Sequence, residues 1–213
     1  MKKTAPQTSA KDRILDAALC VIRSKGYSAT TVDELCAEAG VTKGAFFHHF
    51  KSKEDLAVTA ANHWASMTNG FFANAPYQRI ADPLERFLGY VDFRKEILQG
   101  KLPEFTCLVG TMVQEIFDTS SSIREACQNS IFGHAADVAK DIEAAKKLYA
   151  PDAKWTAESL ALHTQAVIQG AFILAKAKQD ADIAAESITH LRRYIEFLFN
   201  RLNLKKKKEV RKC

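Results

Sequence analysis

Between Thr31 and Leu56 the chain reads TVDELCAEAGVTKGAFFHHFKSKEDL, and its donors suit the edges and backbone of a nucleic acid. Lys43 can donate to guanine acceptors, and the methyl of Ala45 suits the methyl of thymine. Gly44 between them has no side chain, so the backbone there can approach a partner closely. Lys53 sets a cation at what reads as a helix start, suited to a phosphate oxygen. With Val41 and Phe46 on the apolar side of their helix, Thr42, Lys43, Gly44, Phe47 and His48 face outward, and two adjacent phenylalanines leave Phe47 at best half covered. The elements that position these groups are legible in the same stretch. Thr31 with Glu34 three residues later forms a capping box. Val32, Leu35, Cys36 and Ala39 follow on one helical face, and Cys36 is small enough for a close helix crossing. Gly40 supplies the left-handed turn, Val41, Phe46 and Phe50 line the second helix, and Ser52 caps a third with Lys53, Glu54 and Asp55 in its first turn. Helix, tight turn, helix is the arrangement that places a helix in a DNA major groove. Two short helices that merely pack together have the same spacing, so spacing alone leaves both readings open.

The stretch from Arg13 to Leu56 resembles the N-terminal domain of the TetR family of bacterial transcriptional repressors. The matching residues are Ile14, Ala17, Ala18, Gly26, Tyr27, Thr30, Thr31, Val32, Leu35, Ala39, Gly40, Val41, Lys43, Gly44, the Phe46–Phe50 stretch, Ser52, Lys53 and Leu56. The resemblance implies a three-helix DNA-binding domain whose first helix lies near Lys11–Lys25 and whose recognition helix is Thr42–His49. It implies that Thr42, Lys43, Gly44 and Ala45 lie nearest base edges, with Thr31, Phe47, His48, His49 and Lys53 nearest phosphates. Phe47 departs from the tyrosine that many members carry, which removes one phosphate hydrogen bond. His48 and His49 do not make a metal site, because adjacent helical residues point about 100 degrees apart.

The chain has 213 residues and a formal net charge of +5, unevenly spread. Residues 1–55 carry nine Lys/Arg against seven Asp/Glu, residues 56–200 fourteen against seventeen, and the last thirteen residues seven against one. DNA affinity must therefore depend on where cations are placed more than on a broad positive field. The terminal LKKKKEVRKC reads as a solvated tail. The N-terminal MKKTAPQTSA has no apolar stretch behind its lysines, and the uncharged run over residues 159–175 is too short and polar for a membrane span, so a cytoplasmic protein is expected. Five cysteines, at 20, 36, 107, 127 and 213, contain no CxxC pair and read as reduced thiols. No cofactor is expected.

An all-α fold is expected, with a DNA-binding domain over residues 1–55 (ordered from about 10), a ligand-binding and dimerisation domain over 56–203, and a basic tail over 204–213. A helix should run to about Phe72, with a break at Ala75–Ile80. Asp82-Pro83-Leu84-Glu85 then opens another, as cap, first position and third. Pro103-Glu104 should start a helix running through Val113, Ser122 with Glu125 a long one toward Tyr149, and Thr156 the next. Ala166, Gly170, Ala171 and Ala175 permit close helix approach. The last helix carries Ala184, Ile188, Leu191, Ile195, Leu198 and Leu202 at alternating spacings of four and three. Such a seam packs against a neighbouring helix. A partner subunit satisfies two consecutive seams readily, and the family resemblance likewise implies a homodimer through the last two helices. A two-fold dimer presents two recognition helices, so the expected operator is approximately palindromic.

The family's second domain usually encloses a small-molecule site, and binding there releases DNA. The expected lining is Trp64, Phe71, Tyr90, Phe93, Phe105, Cys107, Met112, His134, His163 and Gln165, which suits a small, largely apolar effector with one or two hydrogen-bonding groups. Cys107 opens CLVGTMVQE, which looks like a stretch of some redox- or electrophile-responsive members; as spacing, it reads as a small buried hydrophobe. No GxSxG, phosphate-cradling glycine loop or HExxH is present, which argues against an enzyme. A DNA-binding activator or nucleoid-associated protein without an effector is the alternative reading.

Overall fold

Local chemistry starts and stops the helices of this chain, seen here in a computed structural model that describes residues 9–199. Ser9 caps α1 (Ala10–Lys25) by accepting from the Asp12 amide. Thr31 caps α2 (Val32–Ala39) in a complete capping box with Glu34. Gly40 ends α2 in the left-handed region at φ 61°, where a side chain is disfavoured. Thr42 caps α3 (Lys43–His49) and Ser52 caps α4 (Lys53–Ala73), each accepting an amide three residues on at 3.1 Å. A 3-10 turn over Pro76–Arg79 fills the expected break, and Asp82 then caps α5 (Pro83–Glu96) with Pro83 at its first position. The remaining helices are α6 (Leu102–Phe105), α7 (Leu108–Ile116), α8 (Ser121–Tyr149), α9 (Ala157–Lys178) and α10 (Asp182–Leu198). The fold is all-α, and no strand occurs among the described residues.

Two helix starts differ from the sequence expectation. The helix expected from Pro103 to Val113 is broken into α6 and α7, with Cys107 as the N-cap of α7, accepting from the Gly110 amide. The long helix begins at Ser121, and the hydroxyl of Ser120 takes the Ile123 amide. Ser122, expected as its cap, lies inside the first turn and hydrogen-bonds the Glu54 carboxylate.

The chain forms two compact units. The first takes residues up to Asn69 together with Thr106–Ile131, and the second Gly70–Phe105 together with the chain from Phe132 onward. The core of the first gathers Ile14, Ala18 and Ile22 of α1, Leu35 of α2, Phe46 of α3, Leu56 and Ala60 of α4, and Leu108 and Met112 of α7. In the second, α10 packs on α9 and α5. The α10 seam is buried within the single chain: Ala184, Ile188, Leu191 and Ile195 are all at most 3% exposed. The expectation that this seam faces a partner is corrected, because α5 and α9 of the same chain already cover it. Leu202, the basic tail, Cys213 and the N-terminal lysines lie outside the described residues.

Candidate functional site

In the first unit, the buried side of α3 is fixed by Phe46, fully buried, and by Phe50, which follows the helix. This leaves Thr42, Lys43, Gly44, Phe47 and His48 exposed, with Ala45 and His49 half-buried. Phe47 is 55% exposed, its edge against the ring of Phe46. The two histidine rings meet edge to face with centroids 4.9 Å apart. Lys43 pairs with Asp33 at 2.6 Å, both well exposed, and the carboxylate holds the lysine's pKa above its usual value. Thr31 and Glu34 share the capping box, and Lys25 with the Thr31 groups holds the Glu34 carboxyl down to about 2.

Lys53 is less free than its sequence position implies. Its ammonium donates to the carbonyls of Tyr27 (3.1 Å) and Thr30 (2.9 Å) and lies over the Tyr27 ring. It therefore pins the start of α4 to the α1–α2 connection. Two carboxylates tie that same connection and α4 to later helices of the unit. Glu115 of α7 accepts the amides of Tyr27 and Ser28, while Glu54 of α4 accepts the hydroxyls of Ser120 and Ser122. Sequence reasoning missed Asp33, Glu54 and Glu115, since an ion pair or a long-range carboxylate contact leaves no periodic trace.

The second unit holds an aromatic cluster. Phe72 at the end of α4 meets Phe71, Tyr90, Phe93 and His134, and Tyr77 packs on Tyr90 and Phe93. Gln165 donates to the Tyr90 hydroxyl at 2.9 Å, and that hydroxyl is bonded to His134 Nε2 at 2.9 Å. Because the phenol already accepts from Gln165, its own proton is available for the imidazole nitrogen. Burial, with the charge of Arg94 as a smaller cause, pushes the His134 pKa down to about 4, so near neutral pH the ring is an acceptor. Burial raises the Tyr77 phenol in the same way.

Of the residues expected to line a ligand site, Phe71, Tyr90, Phe93, His134 and Gln165 come together here. Phe105 joins through the ring of Phe172, 6.1 Å away. Met112 is fully buried in the first unit's core, and Trp64 and Cys107 pack against that core. The Arg23 guanidinium covers the Trp64 ring. His163 is exposed on α9 beside Tyr194. Cys127, also in the first unit, is buried, and its thiol is pushed up to about 12 by that burial. Phe72, Tyr77, Arg94 and Phe172 were missed. Arg94 had a visible signal: it falls on the apolar stripe Leu84, Phe87, Leu88, Val91 of α5, where a charge is out of place.

Residues 14–60 match the family described as bacterial regulatory proteins, tetR family. Residues 83–185 match the C-terminal domain described as transcriptional regulator LmrA/YxaF-like. The chain belongs to the TetR family. A Lactococcus lactis HTH-type transcriptional regulator is similar to this TetR-family chain, with 23% identity over 186 residues, which is 87% of this chain and 93% of that protein. KstR2 of Mycolicibacterium smegmatis, an HTH-type transcriptional repressor, is 33% identical over 85 residues, 38% of this chain and 39% of that one. The chain spans under two thirds of the length of several other curated relatives as well. Among solved structures, the regulatory protein TetR of Rhodobacter sphaeroides superposes with TM-score 0.78 at 23% identity, over 87% of this chain and 98% of that one. That likeness supports the fold. No helix of the described residues is long and apolar enough to cross a membrane.

Proposed function

We propose that this transcriptional regulator is an effector-responsive repressor that binds an approximately palindromic operator as a homodimer in the cytoplasm and has no catalytic activity. Residues 1–55 carry the DNA contacts and residues 56–203 the effector site and the dimer contacts. The observation that carries the reading is the outward side of α3. Thr42, Lys43, Gly44, Phe47 and His48 stand clear of the core behind a left-handed glycine turn, with Phe46 fixing the helix rotation. Lys43 and Thr42 are then the groups for base edges, and Thr31, His48, His49 and the remaining Lys53 donor those for phosphates.

Dimerisation is supported by apolar residues that the single chain leaves uncovered. Ile173 and Leu174 on α9 and Tyr194 and Phe197 on α10 are 44–66% exposed. Together with Ala166 and Gly170 they offer a face for a second copy, and obligate interfaces of this kind bury about 2,000 Å² or more. The effector must prefer the conformation that releases DNA, since equal affinity for both states shifts nothing.

Selection of bound sequences from a random DNA pool tests the reading. A palindromic consensus is expected, and Lys43→Ala should relax its sequence preference. Sedimentation of the purified chain should give a dimer at micromolar concentration. Indifference to sequence, or a stable monomer, overturns the proposal.

A further inference from the structure

Among the described residues of the second unit, Arg94 alone has a buried side-chain polar atom without a hydrogen-bond partner. It is 9% exposed, its Nε has no hydrogen-bond partner, and no ion pair involves it among the described residues. Its guanidinium lies 5.3 Å from the ring centroid of Phe72 and 5.8 Å from that of Phe172. An aromatic face attracts a cation but accepts no fork of hydrogen bonds and neutralises no charge. Arginine, unlike lysine, does not escape burial by giving up its proton. Three carboxylates of the unit are engaged elsewhere: Asp141 with Arg86, Asp137 with Lys140, and Asp92 with Arg192. A buried charge is ordinarily paired, so a group that the fold leaves without a counter-charge is poised for one brought from outside.

The surroundings narrow that partner. One uncompensated positive charge calls for one negative charge; a phosphate monoester would carry a second into the same apolar setting. The rings clustered in this unit are Phe72, Tyr77, Phe93 and Phe172, and the polar groups beside them are Tyr90, Gln165 and a neutral His134. We propose that Arg94 is the anchor of the effector site and that the effector is a small monocarboxylate with a flat apolar body, its carboxylate taken by the guanidinium fork and its body seated among these rings. The assignment rests on the effector-responsive reading and gives that effector a chemical class.

The test is calorimetric titration and thermal melting of the full chain with benzoate and 2-naphthoate against the neutral benzamide and 2-naphthamide. The acids should bind and raise the melting temperature, and the matched amides should bind about tenfold or more weakly, as expected for losing a charge-assisted hydrogen-bonded pair. Arg94→Met should erase the preference for the acids and melt higher than wild type without ligand, because it removes an uncompensated buried charge. Arg94→Lys should keep the preference for acids at reduced affinity, which covers the case of a Met variant that does not fold. Equal binding of acids and amides, no binding of either acid, or a Met variant that keeps the preference would overturn the proposal. Operator release is measured separately. Acids that bind without releasing DNA leave the anchor standing and remove the effector-responsive reading, whereas release by a neutral compound when no acid binds does the reverse.

Discussion

Lys43 and Arg94 are both cations on short, well-capped helices, and the regions around them treat charge in opposite ways. At Lys43 the partner is Asp33, with both side chains more than half exposed. Such an exposed pair contributes little to stability and is screened by salt, so it can be exchanged for a phosphate or a base edge at little cost. At Arg94 the surroundings are aromatic and the charge has no partner among the described residues. There the folded state holds a strained electrostatic position that an anion would relieve. Loosely held surface charge suits the proposed DNA contact, and a buried charge the fold leaves unmet suits the proposed effector anchor. The apolar scaffolding beneath the two regions differs less than the charges do.

The largest expected effect tests that scaffolding. Phe46 is fully buried and sets the rotation of α3 against α1 and α2. Phe46→Ala should cost about 3–5 kcal/mol of stability and abolish DNA binding, since the cavity cannot be refilled from a seven-residue helix. Urea unfolding followed by circular dichroism measures the loss. A variant that unfolds like wild type would mean that α3 is not held by this contact, and the outward set of residues would need to be redrawn.

The caps in both regions are legible in the sequence because each is settled within three residues. Thr31 with Glu34, Asp82 with Pro83, and Thr156 with Ser159 need no knowledge of the rest of the chain. What failed was non-local. Nothing between Pro103 and Val113 marks the break at Thr106 and Cys107, because neither residue is a helix breaker and the apolar pattern runs straight through it. The α10 seam is plain in its spacing, but periodicity does not say which helix covers it, and the answer is α5 and α9 of the same chain. Phe71, Tyr90 and Phe93, which come together in the second unit, could be grouped by type. Met112 and Trp64 were drawn into that group wrongly in position, because residue type cannot separate one unit's core from the other's when the chain passes between them three times. Arg94 was readable in principle, as the one charge on an apolar stripe.

A medium effect concerns pH and separates the regions further. His134 is held down to about 4 against an ordinary value of 6.5, by burial first and by Arg94 second. Above pH 6.5 the ring is neutral in both folded and unfolded chains. As the pH falls from 6.5 toward 4, the unfolded chain binds a proton that folded His134 refuses, so stability drops with falling pH and levels off below 4. The linked loss at pH 5 is about 2 kcal/mol. Denaturant midpoints at pH 7 and pH 5 should therefore differ more for wild type than for His134→Gln. If the two chains lose stability in parallel, the histidine is not the group responsible. Arg94→Met should narrow the difference only in part, since burial is the larger cause.

The smallest effect on stability is expected at Asp33, and it is the one that bears most directly on the exposed region. Asp33→Asn removes one member of an exposed pair, so the unfolding free energy should move by no more than about 0.5 kcal/mol. DNA binding should respond much more. The substitution takes a negative charge away from the side of α3 that meets phosphates and leaves Lys43 without a competitor. Affinity for non-operator DNA should rise several-fold at low salt, and the slope of log affinity against log salt should steepen by about one counterion if Lys43 turns to a phosphate. If Lys43 instead reads a base edge, operator affinity should rise with little change in slope, and Lys43→Ala should cancel the gain on the operator alone. The double variant Asp33→Asn, Lys43→Ala decides between the two: a gain that survives loss of the lysine arises from removing repulsion by Asp33, with no role for the pair.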